Sequence, residues 1–355
     1  MDFSFTSDQA ELRELAAKIL GDATAHERVK AVLATDLAVD RDLWRTLADA
    51  GLVGISVPET AGGGGCGFLE TCIVLEEVGR AAAPVPALAV MGLAAPALAH
   101  FGRDEHLDGV AAGERIVAGA FVEPLAAALE PATHASGDGR LTGEKVCVPG
   151  GLLADQFVVT ADTGVFVVDA AAEGVAVQRE DTTSGVPEAR LVLDGAAGER
   201  LAGPDGVEWV VEHAQAAMCV MAAGACAAAV DLTAAYTKTR EQFGRPIASF
   251  QAVSQRAADA YIDTEAVRLT AWQAAWRLDR ALPSPEQVAI AKFWASEGAQ
   301  RVVHAAHHLH GGIGVDKDYP LYRYFLLVKQ LELSLGSATP SLLRLGSLLA
   351  DRPVS

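Results

Sequence analysis

The sequence predicts a mainly α-helical protein with a β domain set into its middle. Three observations predict it. Apolar residues recur at helical spacing through the first third, short β-branched runs broken by turn residues replace them near Ile116, and stretches nearly free of helix breakers return from about Asp205. Borders drawn at those changes give an N-terminal helical domain over 1–115, a middle β domain over 116–203 and a C-terminal helical bundle over 204–355.

Thr6 and Gln9 make a capping box for a first helix, whose buried face is Leu12, Leu15, Ala16, Ile19 and Leu20. Leu43, Trp44, Leu47 and Ala48 predict a second helix, stopped by Gly51. After the glycine-rich loop at 62–65, Leu69, Ile73, Val74, Glu77 and Val78 keep helical register, as does the Ala/Leu-rich stretch 86–101. Strands are predicted at 140–148, 175–178 and 189–193, and the segments 156–160 and 165–168 flank the turn residues Asp162-Thr163-Gly164 as a hairpin. Together they make a small antiparallel barrel or sandwich. The stretches 210–239, 250–282 and 285–310 predict three long antiparallel helices, too apolar to stand alone and so packed as a four-helix-type bundle.

About half of the 355 residues are apolar, enough for a large core. Lys and Arg total 28 against 46 Asp and Glu, a net charge of -18, which opposes an electrostatic grip on nucleic acid or an anionic membrane. The five cysteines lack CxxC spacing, so neither a disulfide framework nor a zinc site is suggested. Met1-Asp2-Phe3-Ser4-Phe5 has no basic start and no signal-peptide core, and a cytoplasmic protein is expected.

The most specific string is Tyr236-Thr-Lys-Thr-Arg240-Glu-Gln242-Phe243-Gly244-Arg245-Pro246, followed by Phe250-Gln251. It ends one helix and starts the next at an exposed corner. Arg240, always charged and forked, suits a pyrophosphate, and Phe243 could pack on an adenine or ribose; a capped turn with a solvated arginine is the plainer alternative. A second string is His308-Leu309-His310-Gly311-Gly312-Ile313-Gly314, followed by Tyr319-Pro320.

Both strings resemble segments of the acyl-CoA dehydrogenase family, the first its RxxFG…FQ motif and the second its QxxGGxG…YP motif. The resemblance runs over the whole chain, including Phe5-Thr6-Ser7-Asp8-Gln9 and Val57-Pro58-Glu59 before a glycine-rich turn. It implies the fold of that family, FAD as cofactor, an acyl-CoA substrate and electron-transfer flavoprotein as acceptor. In the implied reaction the flavin takes a hydride from Cβ while a carboxylate removes the Cα proton, giving a 2-enoyl-CoA. Arg240, Gln242, Phe243, Gln251, His308, Gly311 and Gly312 match the positions that reach the FAD of a neighbouring subunit, glycine being needed where a Cβ would block the approach.

The departures are as informative. Counting from Tyr319-Pro320, the family's glutamate position holds Leu335, and the alternative position on the first bundle helix holds Ala214, so no catalytic residue is assigned. Glu212 is the nearest substitute, though its direction differs from that of Ala214. The family's GxKxWIT segment reads Gly143-Glu144-Lys145-Val146-Cys147-Val148-Pro149, and Val122 stands where a threonine is usual. The nucleotide half of a site is kept and the ring half is lost. That pattern resembles the non-catalytic subunit of actinobacterial heterotetrameric acyl-CoA dehydrogenases, which act on steroid side-chain CoA thioesters, and implies a homologous catalytic subunit as partner. Two alternatives stand beside it: a self-sufficient homotetramer using Glu212 or Glu208 as base, and a flavin-free scaffold.

Other signals carry less. Gly62, Gly64 and Gly67 satisfy GxGxxG without a βαβ unit around them. His304, His307, His308 and His310 share their stretch with no carboxylate, so no metal is expected. Trp209, Trp272, Trp276 and Trp294 read as packing anchors, and Cys219 and Cys226 as small buried fillers.

Overall fold

The computed structural model describes residues 4–350; the opening Met1-Asp2-Phe3 lies outside the described residues. Helix α1 (Ser7–Ala23) starts on the capping box, Gln9 N donating to Thr6 Oγ1 and Thr6 N to Gln9 Oε1. Helices α2 (His26–Leu33), α3 (Arg41–Asp49) and α4 (Phe68–Ala81) follow; Gly51, at φ 74°, turns the chain just beyond α3. The stretch predicted as one helix over 86–101 opens with a π-helical turn at Leu88–Ala94 before α5 (Ala95–His100).

The middle of the chain is a two-sheet sandwich. Strands β1 (Val117–Ala120), β4 (Gln156–Ala161), β5 (Gly164–Asp169) and β8 (Glu199–Ala202) form one sheet; β2 (His134–Ala135), β3 (Arg140–Val148), β7 (Glu188–Ala197) and β6 (Val175–Glu180) form the other. The predicted hairpin is present as β4 and β5, paired from Gln156 with Asp169 to Ala161 with Gly164. One pairing departs from the antiparallel expectation: β1 runs parallel to β4, which a long excursion through β2 and β3 permits and no local turn could signal.

The first sheet is buried on both faces. Phe157, Val159, Phe166 and Val168 meet the second sheet, while Val158, Val165 and Val167 join the helical core.

The C-terminal helices are α6 (Asp205–Thr239), α7 (Gln251–Asp279), α8 (Pro285–Phe293), α9 (Ala299–His310), α10 (Leu321–Leu333) and α11 (Ala338–Ala350). A π-helical turn at Trp294–Gly298 joins α8 to α9, so the third predicted helix is one rod with a bulge. Helix α10 supplies a fourth member of the bundle, and α11 packs against α8. Helix α6 is long and apolar enough to cross a membrane, but 78% of its most apolar window is buried inside the protein, as in a core helix. It meets α4 backbone to backbone: a Cβ on Gly79 would strike the Met221 carbonyl, and one on Gly224 the Glu76 carbonyl. Helices α6, α7 and α9 run antiparallel in turn, which puts the end of α6, the start of α7 and the end of α9 at one end of the bundle.

Candidate functional site

At that end, Arg240 leaves α6 in extended conformation, its N–H bonded to Tyr236 O and its carbonyl to Ile247 N, both at 2.8 Å. A two-residue hairpin follows, β9 (Glu241–Gln242) against β10 (Arg245–Pro246). Its turn residues Phe243 and Gly244 both have positive φ, 54° and 76°, the signature of a tight hairpin turn whose backbone an aromatic side chain rarely adopts. Phe243 is 92% exposed, touching Phe250 edge-on, and Arg245 lies over the Phe250 ring. Gln242 donates only to its neighbour's carbonyl, and among the described residues the Arg240 and Gln251 side chains have no hydrogen-bond or ion-pair partner.

The second string arrives at the same place. Tyr236 stacks on His310, ring centres 4.4 Å apart, and His310 Nε2 lies 3.1 Å from the Tyr319 hydroxyl. This packing fixes the end of α9 beside the end of α6. Gly311 has φ 63° and ψ -141°, and a Cβ on Gly311 or Gly312 would meet nothing of this chain, so the turn's open side faces outward. His308 is exposed nearby. The neighbouring histidines are occupied: His307 Nδ1 and His310 Nδ1 contact the Val303 and Ala306 carbonyls, and His304 packs edge-on against Phe325.

The positions of a catalytic base look quite different. Leu335 is 4% exposed within the helical core, and its carbonyl accepts from Gln215 Nε2 at 2.8 Å. The loop holding it is anchored from below. Lys292, fully buried, donates to the Leu331 carbonyl at 2.6 Å and the Glu332 carbonyl at 3.2 Å, stopping α10. Ala214 is fully buried. Glu212 and Glu208 share Arg344 on α11, at 3.3 and 2.7 Å, and Glu212 also accepts from the Ser284 hydroxyl. Burial pushes the Glu212 carboxyl up, and both acids are committed to this cluster.

The two altered flavin-ring segments do come together, since Val146 N donates to Val122 O at 2.9 Å. Between them lies a fully buried Lys145 paired with Glu123; Lys145 also donates to Thr160 Oγ1, and Glu123 accepts from Thr133 N and Oγ1. Cys147 sits in a β-bulge at φ 51°, partly exposed, its thiol pushed to about 11 by burial first and by the nearby Glu188 and Glu180 charges next. The two segments are thus paired, and their altered positions hold Val122, Cys147 and Pro149. Sequence reasoning missed the Glu123–Lys145 pair and the Lys292 anchor, because each joins residues far apart in the chain.

The glycine-rich loop is explained within the chain. The N–H groups of Gly62, Gly63, Gly64 and Gly65 donate to the carbonyls of Glu59, Pro58, Gly54 and Val57, leaving no amide cradle for a phosphate.

A mainly helical chain with a central sandwich, a nucleotide-type corner and the two strings described above defines a class, and comparison with known proteins agrees. The description "Acyl-CoA dehydrogenase, N-terminal domain" matches residues 6–113, and "Acyl-CoA dehydrogenase, C-terminal domain" matches residues 203–339. The chain belongs to the acyl-CoA dehydrogenase family, whose cofactor is FAD. It is 40% identical to acyl-CoA dehydrogenase FadE27 of Mycobacterium tuberculosis, across 99% of this chain and 100% of that one. Among solved structures it resembles a chain of the ChsE4-ChsE5 complex from Mycobacterium tuberculosis, at 40% identity and TM-score 0.93 over 100% of both chains. A variant of the Tcur3481-Tcur3483 steroid ACAD matches at 41% identity and TM-score 0.93, over 97% of this chain and 98% of that one.

The residues present fit one half of the cofactor. Unpartnered Arg240 and the open Gly311–Gly312 turn suit a nucleotide approaching from outside the chain.

Proposed function

We propose that this chain is the non-catalytic subunit of a heteromeric, FAD-dependent acyl-CoA dehydrogenase. Its corner completes a cofactor site whose ring pocket and base belong to a homologous partner. Arg240 would hold the pyrophosphate, Phe243 and Gln242 the adenosine end, with Gln251, His308 and the Gly311–Gly312 turn closing on the same nucleotide. Bound there, the flavin supplies hydride acceptance. This chain moves no proton: Leu335 and Ala214 have no titratable group, and Glu212 is tied to Arg344 and Ser284.

The observation that carries the reading is the contrast between an outward-facing, unpartnered corner and a buried leucine at the base position. The names of the ChsE4-ChsE5 complex and the Tcur3481-Tcur3483 steroid ACAD support a two-chain assembly acting on a steroid acyl-CoA. A side-chain CoA thioester as substrate and electron-transfer flavoprotein as acceptor are part of the same proposal and rest on the family resemblance. Purifying the chain alone and together with a family member encoded beside it tests this. Dehydrogenation only by the pair is expected; steady turnover by this chain alone would overturn the reading.

A further inference from the structure

Two small cavities adjoin where the N-terminal helices, the sandwich and the bundle meet. The larger is about 110 Å³ and the smaller about 70 Å³, and Ala83, Pro84, Val186, Leu327 and Gln330 wall both. The larger is apolar except for Glu188 and Gln330; the smaller holds Arg323 and Tyr322. On α10, Arg323, Leu327 and Gln330 stand at i, i+4 and i+7, one continuous face running from one cavity into the other.

Arg323 is the anomaly. It is 7% exposed, and its Nε and Nη1 are buried with no hydrogen-bond partner; among the described residues no carboxylate lies within ion-pair reach. A guanidinium held out of water without an anion is strongly unfavourable, and burial already lowers its proton affinity. At the far end, Glu188 is 3% exposed and accepts only from Gln330 Nε2. Burial first, then the Glu180 charge facing it from β6, raises its carboxyl to about 7 against the Gln330 bond, with the Cys147 thiol also close by. A neutral Glu188 keeps its carbonyl oxygen for Gln330 and leaves an O–H free.

We propose that this chain binds a compact organic carboxylate across these adjoining cavities, its charged end on the Arg323 guanidinium and its hydrocarbon body along Leu327 and Val186 toward Glu188. The space suits a single small ring, since an apolar cavity of roughly 150 Å³ admits benzene. Tyr322 and Tyr324 are the other titratable neighbours of Arg323, and burial raises the Tyr324 hydroxyl above its ordinary value, which leaves the arginine as the charged group there.

The test is calorimetry and thermal shift on the full-length chain, in whatever assembly it purifies, with cyclohexanecarboxylate as probe and cyclohexylmethanol as its neutral counterpart. Saturable binding of the carboxylate at one site per chain is expected, with the alcohol weaker. Arg323→Met should weaken binding about tenfold or more while raising the unliganded Tm, because it removes an unpaired buried charge. Affinity should fall as pH rises through about 7, where Glu188 ionises and repels the ligand, and Glu188→Gln should remove that fall. Arg323→Lys, which keeps the charge, should bind between the two. No saturable binding to the parent chain, equal binding to Arg323→Met, or displacement by chloride as effective as by the probe itself would each overturn the proposal.

Discussion

The Arg240 corner and the loop at Leu335 obey opposite rules. At the corner, Phe243 holds a left-handed backbone with its ring in water, and Arg240 and Gln251 reach outward without partners. Around Leu335 the polar groups named above are tied down, the loop carbonyl by Gln215, the end of α10 by Lys292, and Glu208 and Glu212 by Arg344. Strain and unpartnered charge on a surface persist when something outside over-determines them. The difference teaches that the polar groups of the Arg240 corner are left for something outside the chain, as the proposed role requires, while those near Leu335 are used in packing.

That contrast can be broken from either side. The largest effect belongs to the interior: Lys145→Met strands the buried Glu123 carboxylate without its cation and should cost on the order of 3–5 kcal/mol of stability, read by denaturant unfolding. Arg240→Ala leaves the fold untouched but should weaken flavin retention by the co-purified complex, by about 1.5–3 kcal/mol, measured as flavin released on dilution. Glu188 gives a pH signature. Its folded value, about 7, stands above the 4.5 of an unburied carboxyl, so its stabilising contribution is full below pH 4.5 and is lost as pH rises through 7; Glu188→Gln should flatten Tm against pH in that window. The smallest effect is the most telling about the base: Glu212→Gln should leave the turnover of the complex unchanged within about twofold, since a bystander supplies no transition-state interaction.

The fold was legible where its determinants are local. The Thr6–Gln9 capping box, the Asp162-Thr163-Gly164 hairpin and the long breaker-free helices all depend on residues a few places apart. The parallel pairing of β1 with β4 was not, because it rests on register between distant segments, and the bulge at Trp294–Gly298 has no glycine or proline break before it to announce it. The same division holds for the site. Arg240 to Gln251 and the Gly311–Gly312 turn stood out as contiguous strings, whereas Arg323 with Gln330 and Glu188, or Lys145 with Glu123, meet only through the tertiary fold.

The central claim is that two unlike chains share each flavin. Counting FAD against polypeptide in the co-purified complex, by absorbance after denaturation and quantitative amino-acid analysis, measures it directly. One flavin for every pair of unlike chains is the result expected; one flavin for every chain would mean that this chain holds a flavin ring of its own, and the account would fail.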